Sequence, residues 1–209
     1  MRGWPALLLL GLAACSAWPR PPHPKPVNCF FGDERDLDSV RRVMALPFDL
    51  APGVEADSFT VRQTFLQELT KIGRFELVPL PAGGEVDRDI YKTLFRGRLS
   101  TEAIVELGKR YQLDGVLMVT ITSYRPYKPP HMGLRTQLLS IHSASTVWAA
   151  DATYDSNDAA TIEDLQHYAG SFAAEEETMH GWQINLISPT KFASFVSHRV
   201  VGTWRDATK

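Results

Sequence analysis

The sequence predicts an α/β fold: a single domain on a mixed sheet of about five strands, ordered β-α-β-α-β-β-β, with flanking helices and further helices towards the C-terminus. Three observations predict it. Residues 114–155 hold three β-type runs in succession, with no room for a helix between them. Residues 39–113 alternate short apolar runs with segments of helical spacing. Beyond residue 156 only helical spacing remains. In the first run of the meander, Leu117, Val119 and Ile121 share one face, and Val116, Met118, Thr120, Thr122 and Tyr124 the other. In the second, Leu134, Thr136 and Leu138 alternate with Arg135, Gln137 and Leu139. In the third, Thr146, Trp148 and Tyr154 share a parity, as do Val147, Asp151 and Thr153. Such alternation marks half-buried strands, and short links between them force antiparallel neighbours.

The remaining elements follow in order. Residues 28–38 are polar around Phe30 and Phe31 and read as a lead-in loop. Residues 39–48 form the first strand, with Val43, Met44, Ala45 and Leu46 buried and Pro47 ending it. Residues 49–57 contain Pro52-Gly53 and read as a loop. Ser58 is a candidate N-cap for a helix presenting Phe59, Phe65, Leu66, Leu69 and Ile72, which Gly73 stops. Residues 74–80 are the second strand, with Phe75 and Leu77 inward. A short helical turn holds Ile90, Tyr91, Leu94 and Phe95. Ser100 caps a helix that buries Ala103, Ile104, Leu107 and Tyr111, with Glu102 favoured in its first turn by the helix dipole. Right-handed crossovers place both of these early helices on one face. After the meander, Asp158 or Thr161 caps a helix burying Ile162, Leu165, Ala169 and Phe172, which Glu175 to Glu177 continue. Ser188-Pro189 is a strong helix start for a last helix burying Phe192, Phe195, Val196, Val200 and Trp204.

The N-terminus carries the sharpest functional signal. One positive charge at Arg2 precedes an apolar run from Pro5 to Ala14 with four consecutive leucines. That run is shorter than the roughly 20 residues a spanning helix needs and has the length and flanks of a secretory signal peptide. It ends Leu12-Ala13-Ala14-Cys15. Small residues before a cysteine, directly after the apolar run, resemble the bacterial lipobox, in which cleavage between Ala14 and Cys15 leaves a diacylated Cys15 as the first mature residue. Ser16, a non-aspartate at the next position, implies sorting to the outer membrane, lipid-anchored and facing the periplasm. Three acyl chains exceed the two signals that stable anchoring takes. Residues 18–26 include five prolines and favour extended polyproline II, a semi-rigid spacer of about 3 Å per residue. The organisation expected is therefore signal peptide 1–14, lipidated Cys15 and proline-rich linker 15–27, and periplasmic domain 28–209. Cys29 is expected to remain a free thiol or to pair only inessentially.

Composition bounds the function. Of 209 residues 44% are hydrophobic and 22% charged, ordinary globular values. A net charge of −2 and a pI near 6.3 leave no basic excess to neutralise phosphates, so no nucleic-acid partner is expected. The six histidines, His23, His131, His142, His167, His180 and His198, fall into no metal-binding spacing, and no cysteine pair joins them. No G-x-S-x-G elbow occurs, and Gly83-Gly84 lacks the lysine of a phosphate cradle. No catalytic residue, metal or cofactor is expected. A small-ligand binder or hydrolase would need a deep pocket lined by Asp151, Asp155 or His142. Residues 125–130, R-P-Y-K-P-P, are the most unusual loop. Rigid prolines around Arg125, Tyr127 and Lys128 make it a candidate recognition edge.

Three stretches carry a resemblance. They are Val43-Met44-Ala45-Leu46-Pro47-Phe48 followed by a helix and Gly73-Arg74-Phe75-Glu76-Leu77-Val78-Pro79, then residues 107–119, then Ser145-Thr146-Val147-Trp148-Ala149-Ala150. Over residues 41–155 the sequence resembles the CsgG/LpoB/TolB-N-terminal-like group of bacterial envelope proteins. The resemblance implies a lipoprotein domain used for assembly or protein–protein contact and not catalysis, with an envelope protein partner and possible homo-oligomers. The group includes the curli-export channel lipoprotein, so an oligomeric secretion-channel subunit is the alternative. No inserted pair of long membrane-facing strands of about 10 residues each accompanies it here, which argues against a pore.

Overall fold

The computed structural model describes residues 25–80, 101–172 and 181–207, the side chains of 101–103, 172 and 205–207 apart. The leader, the linker up to residue 24, the helical turn at Ile90 to Phe95, Ser100 and the Glu175 to Glu177 run lie outside the described residues. The elements are β1 (Asn28–Phe31), α1 (Glu34–Ser39), β2 (Arg42–Ala45), β3 (Asp49–Leu50), α2 (Ser58–Thr70), β4 (Glu76–Val78), α3 (Thr101–Tyr111), β5 (Gly115–Arg125), β6 (His131–Ser140), β7 (Thr146–Asp155), α4 (Ala159–Phe172), a 3-10 turn at Gly181–Gln183, α5 (Ile184–Ile187) and α6 (Pro189–Ala207). The architecture is the mixed α/β sheet read from the sequence, with seven strands where about five were expected.

The order is β1-β7-β6-β5-β2-β4, with β3 pairing β5. The meander β5-β6-β7 and its edge strand β1 are antiparallel, while β2, β3 and β4 run parallel to their partners. The two unexpected strands are short pieces of the two loops. Asn28–Phe31 pairs with β7 and Asp49–Leu50 with β5, pairings set by tertiary position and not by local alternation. Asp33, whose carboxylate accepts from the N–H groups of Arg35 and Asp36, starts α1 inside the expected lead-in loop.

The early helices lie on opposite faces, not on one. From β2 the chain steps outward to β4, then returns past β2 to β5. Right-handed crossovers in opposite directions along a sheet place their helices on opposite sides. So α2 buries Val61, Phe65 and Leu69 in the main core, while Leu107 of α3 packs with Met44, Leu46, Leu113 and Val116 on the other face. Asp57, not Ser58, caps α2 by accepting from the Thr60 N–H at 3.1 Å. Phe59 is 65% exposed, because the buried stripe runs through Val61, Phe65 and Leu69. Gly73, at φ +68°, ends that segment as expected. Asp158, not Thr161, starts α4, accepting from the Ala160 N–H at 3.1 Å.

The main core lies between the sheet and α2, α4 and α6, and the five apolar residues expected on α6 are all buried there. Two aromatic groups anchor it. Towards one end of β7, Trp148 and Phe31 pack edge-on to Trp204. Towards the other, Tyr154 packs on Phe195, which also meets Tyr168 and Phe192. Between Ile121 and Ser123 the register of β5 against β6 shifts by a bulge. The extra residue turns Tyr124 to the core side, whereas unbroken alternation put it opposite Ile121.

A hairpin tip, a lysine socket and a polar relay at one end of the sheet

The bulge decides the chemistry of the β5–β6 end. It sets Thr122 and Ser123 side by side above Gly133 of β6. A Cβ on residue 133 would meet Thr122 Oγ1 at 2.3 Å and Ser123 Oγ at 2.7 Å, so glycine there leaves both hydroxyls where they are. Two residues along, the register aligns Arg125, His131 and Asp155 across three strands. His131 Nε2 lies 2.8 Å from Ser123 Oγ, and His131 Nδ1 lies 3.1 Å from Asp155 Oδ2. The contact order hydroxyl–imidazole–carboxylate is that of a hydrolytic triad, and it also stitches the three strands together at their open end. The Asn157 N–H, then His131 and Arg125, hold the Asp155 carboxyl below its ordinary range.

The 125–130 tip is braced from both sides. Arg125 Nε donates to Pro129 O at 2.6 Å, and its guanidinium reaches Asp155 at 3.4 Å. The Ser156 N–H donates to Pro130 O at 3.0 Å. The Lys128–Pro129 peptide bond is cis. Tyr127 is left 77% exposed, with Lys128 exposed beside it. The tip is therefore an exposed turn held by contacts at its base.

Next to it is a socket that sequence reasoning missed. Lys25, the first described residue, is held at five points. Its N–H donates to Asp164 Oδ2 at 3.3 Å, and its carbonyl accepts from the Arg199 guanidinium at 3.5 Å. Its ammonium reaches Asp158 at 2.9 Å and Thr161 at 3.4 Å, and lies 5.4 Å from the Tyr154 ring centre. Behind it, Arg199 pairs with the buried Asp164 at 3.0 Å. Burial pushes the Asp164 carboxyl up and the Tyr154 hydroxyl up to about 12, while the hydrogen bond from Lys25 holds Asp158 down. Lys25 is thus fixed to the body by backbone and side chain alike. Only the acidic cap of α4 hinted at it; the buried pair is 35 positions apart in sequence and left no local pattern.

The three residues proposed to line a ligand pocket do not meet. His142 pairs with Asp114 at 3.3 Å at the far end of the sheet. Asp151 is bound to Arg135 at 2.8 Å and borders an open groove with Asn28, Phe30 and Gln137. Asp155 lies four residues further along β7, about 13 Å at strand rise, too far to share a proton with Asp151. Among the described residues no group of three His, Cys, Asp or Glu side chains is placed to hold a metal. Cys29 is an exposed free thiol on β1. Ala14 and Cys15 lie outside the described residues.

No family model matches the sequence, and no curated protein matches it. Several solved structures share part of its course. The PelC dodecamer from Paraburkholderia phytofirmans is 14% identical, with a TM-score of 0.43 over 66% of this chain and 89% of that one. Lipoprotein GNA1162 from Neisseria meningitidis is 15% identical, with a TM-score of 0.41 over 66% and 99%. The LpoB C-terminal domain from Escherichia coli is 11% identical, with a TM-score of 0.39 over 54% and 81%. For CsgG and TolB no such likeness is shown. At these identities and scores the likenesses assign neither family nor function.

Proposed function

We propose that the protein is a bacterial lipoprotein, anchored by acylated Cys15 in the outer membrane and facing the periplasm. There it serves as a non-catalytic scaffold or regulator of envelope assembly or secretion through contact with a protein partner. The observation that carries this reading is the sequence Leu12-Ala13-Ala14-Cys15 directly after the apolar leader. The Lys25 socket supports it: a domain gripping the end of its own linker at five points is built to be held at a set position from an anchor. The test is the intact mass of the mature protein from a Gram-negative host. The reading expects an N-terminal Cys15 bearing a diacylglyceryl group and an amide-linked acyl chain. An unmodified N-terminus elsewhere sinks it.

A second reading, hydrolysis, is favoured by one observation, the Ser123–His131–Asp155 contacts. Its test is labelling by a fluorophosphonate probe. Modification of Ser123 that is lost in His131→Ala would establish it, and the first reading expects no labelling.

A further inference from the structure

The socket and the hairpin tip share one end of the sheet. Strand β1 runs antiparallel to β7, with Asn28 opposite Asp151, so residue 25 lies beyond it towards Asp155. Lys25 grips Asp158, and Ser156 in the same turn grips Pro130 of the tip. The tether therefore leaves the domain beside residues 125–130.

Its length then favours the tip end as the one facing the anchor. Ten residue steps lead from Cys15 to Lys25; in extended polyproline form they span about 30 Å, and fully extended about 35 Å. Strand β5 alone has 11 residues, about 33 Å from tip to far end. With the far end on the bilayer, the tether would have to be drawn out almost straight to reach Lys25. With the tip end down, it reaches easily.

The tip has side chains suited to a headgroup layer. Tyrosine, an apolar ring with a polar hydroxyl, favours the membrane interface. Lys128 has no carboxylate within ion-pair distance among the described residues, so it is available to a lipid phosphate. The other cations there are matched, Arg125 by Asp155 and Lys25 by Asp158, and exposed Glu55 and Asp57 lie on the loop following β3. This end is thus not a basic patch that recruits itself to a membrane. The tether supplies a high local concentration, and the tip needs only a weak contact.

We propose that the 125–130 tip is a second membrane contact, with Tyr127 seated in the phospholipid headgroup layer and Lys128 at lipid phosphates, so that the domain stands tip-down on the bilayer. The proposal rests on the anchored reading above, and its test supplies the anchor artificially. The mature chain from Ser16, carrying an N-terminal hexahistidine and Cys29→Ser, is bound to vesicles of phosphatidylethanolamine and phosphatidylglycerol containing nickel-chelating lipid. A fluorophore is placed at Asn157→Cys beside the tip or at Ser143→Cys at the far end, and headgroup-level spin-labelled lipid serves as quencher. The proposal expects quenching at 157 about twofold or more above that at 143. It also expects that excess to shrink in Tyr127→Ser/Lys128→Glu. Equal quenching at both positions, or an excess that the double variant leaves unchanged, overturns it. Because hexahistidine replaces the lipid, a missing acyl chain on native Cys15 would refute the function reading alone, and a quenching failure would refute the tip contact alone.

Discussion

The two ends of the β5-β6-β7 meander are each tied by one aspartate, and they are tied for different purposes. At the far end Asp36 of α1 accepts from Ser39, Ser140, Ser143 and Ser145, drawing the β6–β7 turn down onto the helix. At the near end Asp155 accepts from His131, Arg125 and the Asn157 N–H, bracing the tip from behind while Tyr127 stays in solvent. Hydroxyls fold one turn inward, and charged side chains hold the other outward. The same residue type closes one end of the domain and presents the other.

The largest effects should fall on what the two ends share. Trp204→Ala, near the far end, and Phe195→Ala, near the tip end, each remove a fully buried aromatic and should each cost about 3–5 kcal/mol in denaturant unfolding. A much smaller cost for Phe195→Ala would mean that the tip end is a loosely held flap and would break the comparison. Gly133→Ala comes next. Its Cβ would displace the Thr122 and Ser123 hydroxyls, and with Ser123 its contact to His131, at about 1–3 kcal/mol. Asp36→Ala strands the buried Ser140 hydroxyl and should cost about 1–2 kcal/mol. Tyr127→Ser should leave the midpoint within about 0.5 kcal/mol of wild type, since the ring rests on nothing that folding requires.

Acid should act on both ends in the same direction. Burial pulls the Asp36 carboxyl up, but its serine donors outweigh that and hold it below the ordinary value of 3.8, and the Asp155 carboxyl is also held down. A carboxyl depressed by folding contributes stability that is present above its unfolded pKa and lost as pH falls through the folded one. Stability should therefore decline below about pH 4, and less steeply in Asp36→Asn, as thermal melts across an acid series would show. An unchanged acid limb in that variant would remove Asp36 from the account of the far end.

What the sequence revealed and what it hid divide along physical lines. The meander, α2, α3 and α6 were legible because period-2 and helical burial patterns are local, and the Leu117-Val119-Ile121 face and the buried stripe of α6 stand where the pattern put them. The edge strands β1 and β3 were not legible, since four- and two-residue strands have no period of their own. Neither was the bulge at Ser123, which moved Tyr124 to the core side. The exposed tip could be read from its prolines. The Lys25 socket and the Ser123–His131–Asp155 relay could not, because each joins residues from separate strands or helices through register alone.

The measurement that tests the central claim most directly is the partition of wild type and Cys15→Ala between membrane and soluble fractions of a Gram-negative host. The account predicts wild type in the outer-membrane fraction and the variant released into the periplasm, with the same melting temperature. Equal partition of the two forms would contradict it: the domain would then be a freely secreted body, its linker socket would hold it to nothing, and the Ser123–His131–Asp155 reading would move to the front.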